Sequence, residues 1–142
     1  MDWPAVKARR EGLPADQQVH YHAFPYLHDE MGLALAAADL VVSRAGASTL
    51  GEFSIFGLGA ILVPYPHAWR YQKVNADFLA GRGAAVRLND EDLKMKLLPT
   101  LRELLHDPAR LSAMGVAARA SAVPDAAERI AAELVALAGA RP

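Results

Sequence analysis

The sequence predicts an α/β fold: a parallel sheet with helices on both of its faces. Three observations predict it. Short apolar runs of strand length, "DLVVS" at 39–43, "AILV" at 60–63 and "AAVRL" at 84–88, recur between helical segments of roughly ten residues. These runs are continuously apolar rather than alternating, as in strands covered on both faces. The chain has 142 residues, 53% of them hydrophobic and 22% charged, which suits a single domain with a proper core.

The elements follow in order. The first sixteen residues are weakly patterned, and "KARREGLPAD" reads as the end of a helix running into a turn at Gly12-Leu13-Pro14. In "QVHYHAF", Val19, Tyr21 and Ala23 alternate with His20 and His22, which predicts a strand over 18–24. "PYLHDEM" is a loop with an acidic helix start, and "MGLALAAA" at 31–38 a short buried helix. After the strand 39–43 come a helix Ala47–Phe56, a turn at Gly57-Leu58-Gly59 and a strand Ala60–Val63. The loop Pro64–Arg70 leads to a helix Tyr71–Arg82, stopped by Gly83, and a strand Ala84–Leu88. The last third, 90–140, is a helical tail. One helix runs from Asp90-Glu91-Asp92 to near His106. A second opens with Asp107 as N-cap and Pro108 at the first helical position, and a third runs from Pro124 to about Ala138.

Several function classes are excluded. Net charge is −1 without a block of like charges, so the basic footprint of a nucleic-acid binder is missing. There is no cysteine, hence no disulfide and no thiolate metal site. His20 and His22 share a strand face, but no carboxylate stands at metal spacing, so no metal is expected. No apolar run approaches the ~20 residues that cross a bilayer. Met1-Asp2-Trp3-Pro4 does not open a signal peptide, and a cytoplasmic chain is expected. No Walker loop, GxGxxG, GxSxG or HExxH is present.

Chemistry concentrates where the strands end, the edge at which parallel sheets bind ligands. In "SRAGASTLGE", 43–52, Gly46 permits close backbone approach, and Ser48 and Thr49 fall in the first turn of a helix. Free N–H groups at that positive end suit an anion or a sugar hydroxyl, although simple capping explains the same residues. Glu52 lies a turn later, placed to accept two hydroxyls of a ribose diol. With Thr49 as N-cap it equally completes a capping box, and spacing alone leaves both open. The next loop, "PYPHAWRYQKVNA" at 64–76, brings His67, Trp69, Arg70, Tyr71, Gln72 and Asn75 to one loop and the following helix start. Gln72 and Asn75 share a face, and amides suit sugar hydroxyls because they donate and accept together.

"ADLVVSRAGASTLGEF" followed by "AILVPYPHAWRYQKVNADFLAGRGAAVRL", extended by "FPYLHDEMGLALAAADLVV", resembles the carboxyl-terminal half of the MurG family. That family comprises the N-acetylglucosaminyltransferases acting on undecaprenyl-pyrophosphoryl muramyl-pentapeptide. The resemblance covers about Val19 to Leu88. It implies a Rossmann-like domain of a two-domain GT-B transferase, with residues 1–142 a partial UDP-sugar-binding domain. It implies UDP-GlcNAc as donor, inverting transfer that turns lipid I into lipid II for peptidoglycan, and no cofactor or metal. Site roles also follow from it. Glu52 meets the ribose hydroxyls, and Gly46, Ala47, Ser48 and Thr49 lie by the sugar and diphosphate. Gln72 and Asn75 read GlcNAc hydroxyls. Leu27 and His28 meet the uracil edge through their backbone, and Arg44 supports the loop or the phosphates. Tyr71 stands where many relatives carry a second glutamine.

The family protein is longer. By that comparison the acceptor domain, with the catalytic base and the lipid-linked acceptor, and the first strand–helix units of the donor domain fall outside this chain. No catalytic residue is therefore assigned within it. In a sheet ordered 3-2-1-4-5-6, Val19–Phe24 would be strand 3, and Leu40–Ser43, Ala60–Val63 and Ala84–Leu88 strands 4, 5 and 6, with strands 1 and 2 absent from the middle. Membrane contact is expected to be peripheral, on the inner face of the bacterial plasma membrane, through the rest of the enzyme. Three alternatives remain: a soluble subunit of a split transferase, a non-catalytic UDP-sugar-binding module, and a glycolipid synthase of the same superfamily.

Overall fold

The computed structural model describes residues 2–139. The chain divides into two compact units, the first ending at Ala34 and the second beginning at Leu35. The first unit holds helices α1 (Trp3–Glu11) and α2 (Ala15–Gln18), and the loop leading to α3 (Met31–Ala37). Pro4 in the first turn of α1 lacks only an N–H that has no helical acceptor.

The predicted strand over 18–24 is absent. Residues 19–20 form a turn closed by bonds from His20 N to Gln17 O and from Tyr21 N to Gln18 O. The segment then runs irregularly, tied by Arg10 Nε donating to Tyr21 O at 2.8 Å. An alternating pattern becomes a strand only when a neighbour supplies a ladder and a covered face. Val19 and Phe24 have neither and are 62% and 61% exposed.

The second unit is built on a parallel three-stranded sheet, ordered β1 (Leu40–Ser43), β2 (Gly59–Leu62), β3 (Ala85–Arg87). The register pairs Val41 with Ala60 and Ile61 with Val86. α4 (Ala47–Phe56) links the first two strands and α5 (Trp69–Ala80) the last two. After a 3₁₀ turn at Asp90–Asp92 come α6 (Leu93–Leu105), α7 (Pro108–Arg119) and α8 (Ala126–Gly139).

β2 is buried at all four positions, which explains its uninterrupted apolar sequence. Its side chains divide by the period of two. Ala60 and Leu62 point into one core with Phe53, Ala76 and Leu79 of α4 and α5. Ile61 and the adjoining Val63 point into the other, with Leu88, Leu104 and Met114, the last two from α6 and α7. The sheet thus carries helices on both faces, as the sequence predicts.

Turn chemistry behaves as expected. Gly57 closes α4 in the left-handed region at φ +65°, with Leu58 N reaching back to Phe53 O. The Asp107 carboxylate accepts from Arg110 N at 2.9 Å and caps α7, with Pro108 at its first position. α5 starts at Trp69, two residues before the expected Tyr71, and the turn after it ends at Gly83, φ +77°.

Candidate functional site

Both polar loops leave the carboxyl ends of neighbouring strands, β1 and β2. Their following helices converge on a cavity of about 460 Å³ lined by Gly46, Ala47, Ala68, Tyr71, Gln72 and Asn75. Four of the residues predicted from sequence therefore share one concavity.

The N-cap of α4 is Gly46, in an extended conformation, with no side chain capping the helix. The first-turn amides of Ala47 and Ser48 therefore keep the electropositive character of a helix start. Gly46 as N-cap also removes the capping-box reading of Glu52. A capping box needs Thr49 at the N-cap, whereas Thr49 sits inside the first turn, 3% exposed, its hydroxyl donating to Arg44 O at 3.2 Å. Glu52 is exposed and has no ion pair or hydrogen bond among the described residues. It projects from the second turn between the directions of Ser48 and Thr49.

The two amides are fixed in opposite senses by backbone partners. Asn75 Nδ2 donates to Ala45 O at 3.0 Å, across thirty positions of sequence. Gln72 Oε1 accepts from Tyr65 N at 2.9 Å. A carbonyl only accepts and a backbone N–H only donates, so neither amide can be turned without losing its bond. Asn75 Oδ1, an acceptor, and the Gln72 Nε2 group, a donor, are left without a partner among the described residues, on two side chains that line the cavity. Sugar hydroxyls, each both donor and acceptor, match that pair.

Arg44 holds the scaffold. Its Nη1 donates to Val63 O at 3.3 Å and Pro64 O at 3.5 Å and pairs with Asp90, while the guanidinium lies 5.3 Å from the Tyr65 ring centroid. These contacts tie the ends of β1 and β2 to the 3₁₀ turn, so the guanidinium braces the Tyr65 backbone that orients Gln72. Leu27 and His28 belong to the first unit, where the Tyr26 and His28 rings stand 4.5 Å apart, and the cavity is described without them. Two contributors escaped the sequence reading. Ala68 lines the cavity with no chemical signal of its own. Asp90 reads as a helix opener, and only tertiary structure shows it anchoring Arg44.

No carboxylate or imidazole lines the cavity. Among the described residues no group of histidine and acidic side chains forms a metal site. The chemistry on offer is hydrogen bonding and helix-end electrostatics, which hold a ligand.

Comparison with known proteins fits this geometry. The family model described as the glycosyltransferase family 28 C-terminal domain matches residues 6–130. The chain belongs to this family. It is similar to the UDP-N-acetylglucosamine--N-acetylmuramyl-(pentapeptide) pyrophosphoryl-undecaprenol N-acetylglucosamine transferase of Xanthomonas axonopodis pv. citri, 47% identical over 128 residues. That match covers 89% of this chain and 30% of the relative. The transferase of the same name from Roseiflexus sp. strain RS-1 is 43% identical over 145 residues, covering 89% and 33%. The crystal structure of Acinetobacter baumannii MurG superposes with a TM-score of 0.74 at 34% identity, over 89% of this chain and 36% of that one. The fold is therefore the Rossmann-like carboxyl-terminal domain of the GT-B architecture. The chain spans about a third of the length of the family 28 relatives it matches.

Proposed function

We propose that this family 28 chain is the donor-binding part of an inverting N-acetylglucosaminyltransferase. In that reading residues 1–142 form part of a UDP-sugar-binding domain with a helical tail over 90–140. The donor is UDP-N-acetylglucosamine and the acceptor the undecaprenyl-pyrophosphoryl muramyl-pentapeptide named in the relatives. One observation carries it: a free amide donor on Gln72 and a free amide acceptor on Asn75 belong to side chains lining one cavity beside the uncapped start of α4.

The resemblance supplies the roles in this reading, and the geometry is compatible with them. Gln72 Nε2 donates to one sugar hydroxyl and Asn75 Oδ1 accepts from another. The N–H groups of Ala47 and Ser48, with Gly46 permitting close approach, meet the diphosphate. As the bond to the sugar breaks, charge grows on the departing diphosphate, and a fixed helix start stabilises it without reorganising. Glu52 accepts the two ribose hydroxyls. The cavity has no general base, so deprotonation of the acceptor hydroxyl falls to a group outside this chain. Work at the inner membrane face follows from the lipid-linked acceptor, with peripheral attachment. No helix among the described residues is long and apolar enough to cross a membrane.

Calorimetry with UDP-N-acetylglucosamine tests the reading. Glu52→Ala should lose about 1–3 kcal/mol of binding, the magnitude of unmet hydroxyl contacts. The chain alone should transfer no sugar to an acceptor and release no UDP. Unchanged affinity in Glu52→Ala together with Gln72→Ala would remove the cavity from the donor site.

A further inference from the structure

A second concavity, of about 310 Å³, flanks α5 on its other side. It also opens at the carboxyl edge of the sheet, between the loop after β2 and the loop after β3. Its charged and amide residues are Arg70, Lys73, Arg87, Asn89, Asp90 and Glu91. At 100° per residue, Arg70 and Lys73 project about 180° away from Tyr71, Gln72 and Asn75. One ligand group cannot occupy both cavities.

The cations here are under-compensated. Arg70 and Lys73 are exposed and form no ion pair among the described residues. Both sit near the start of α5, whose first turn has no acidic residue. Positive charge is unfavourable at that end of a helix unless an anion answers it. Arg87 donates from Nη1 to Asp77 at 2.8 Å and from Nη2 to Asn89 at 2.7 Å, yet its Nε is buried without a partner. Of the two carboxylates lining it, Asp90 is already taken by Arg44, and Asp77 outside it answers Arg87, which leaves Glu91 to oppose Arg70 and Lys73. Flexible ammonium and forked guanidinium donors from two elements suit a tetrahedral oxyanion.

We infer that the cavity formed by Arg70, Lys73 and Arg87 binds a phosphoryl group, at a site separate from the amide-lined cavity. The group comes from a free phosphate ester or from an anionic lipid headgroup at a membrane surface. The inference does not depend on the donor being UDP-N-acetylglucosamine.

The test uses the whole chain, isotopically labelled, titrated with inorganic phosphate at low ionic strength, where exposed charge pairs are least screened. Saturating amide shifts are expected at Arg70, Lys73, Arg87 and Asn89. The double variant R70Q/K73Q should weaken phosphate at least about tenfold while leaving UDP-N-acetylglucosamine affinity unchanged. Glu52→Ala should leave the phosphate response intact, so failure at either site shows separately. If the double variant melts early, K73Q alone replaces it. In a second arm, phosphatidylglycerol vesicles that retain the chain, with phosphatidylcholine vesicles and R70Q/K73Q as blanks, assign the group to lipid. Phosphate shifts without vesicle binding assign it to a free ester. Shifts confined to 46–49, or no charge-dependent response in either arm, overturn the proposal.

Discussion

Asn75 offers the sharpest test of how this site is assembled. Its Nδ2 donates to the carbonyl of Ala45, a residue that is 0% exposed, and so pins the loop before α4 to α5. Asn75→Ala removes the donor and strands a buried acceptor, at a cost of about 1–3 kcal/mol. For a chain of this size, 2 kcal/mol lowers Tm by roughly 8 °C. Asn75→Asp is more informative. At neutral pH it places a carboxylate oxygen against the carbonyl oxygen where an N–H stood, and should melt below Asn75→Ala. The bond is available only to the protonated acid, so the folded-state pKa of the new carboxyl rises above its unfolded value of about 3.9. By linkage that bond is fully present below the unfolded pKa and is lost as pH rises through the higher folded one. Thermal melts followed by circular dichroism between acid and neutral pH should therefore show Asn75→Asp overtaking Asn75→Ala on acidification. An Asn75→Ala melt within about 1 °C of wild type, or no acid recovery in Asn75→Asp, would refute the pinning argument.

Two further outcomes follow from the same structure. Gly57 and Gly83 both have positive φ, but a Cβ at Gly83 meets open space, whereas one at Gly57 runs into the Arg119 side chain. Alanine at Gly83 should cost about 1–2 kcal/mol of backbone strain alone, and alanine at Gly57 more, by urea denaturation. The Asp92 carboxyl is held below its ordinary 3.8, first by the hydrogen bond from Lys96 and further by that charge and by Asn89, against partial desolvation. Its contribution is present above the unfolded pKa and lost as pH falls through the lower folded value, so Lys96→Met should flatten the acid limb of the stability curve.

The sheet and its flanking helices were legible because local signals agreed. The apolar runs at 60–63 and 84–88 each follow a glycine, and Asp107-Pro108 announced a helix start in two residues. The segment 18–24 carried a local signal of equal quality and failed. Alternation states which face a strand would bury, but not whether a neighbour exists to bury it. In the site, residue types were legible and orientations were not. Gln72 and Asn75 read as interchangeable amides, and only Tyr65 N and Ala45 O, brought close by the fold, make one a donor and the other an acceptor. For Glu52 spacing left a capping box open, and only the fold, with Gly46 as the N-cap, removes it. Arg44 read as a support for the loop or for the phosphates, and the fold places its guanidinium on Asp90 and two backbone carbonyls, where it braces the loop.

α5 then presents two chemistries on opposite faces, and salt should separate them. The Gln72 and Asn75 side is neutral, and its selectivity comes from hydrogen-bond direction, which ionic strength leaves nearly untouched. The Arg70 and Lys73 side is cationic and exposed, so whatever it holds is held by charges that screen over about 10 Å at 0.1 M salt. Discrimination between UDP-N-acetylglucosamine and UDP-N-acetylgalactosamine, which differ in the direction of one hydroxyl, should therefore persist as salt rises, while phosphate binding fades. The helix start of α4 lies between these limits. In the proposed complex it would meet a diphosphate through short N–H bonds, with a dipole that salt partly screens. Salt should weaken UDP itself moderately and leave the preference between sugars unchanged. A preference that collapsed with salt would mean that charge, rather than the crossed orientation of two amides, reads the sugar.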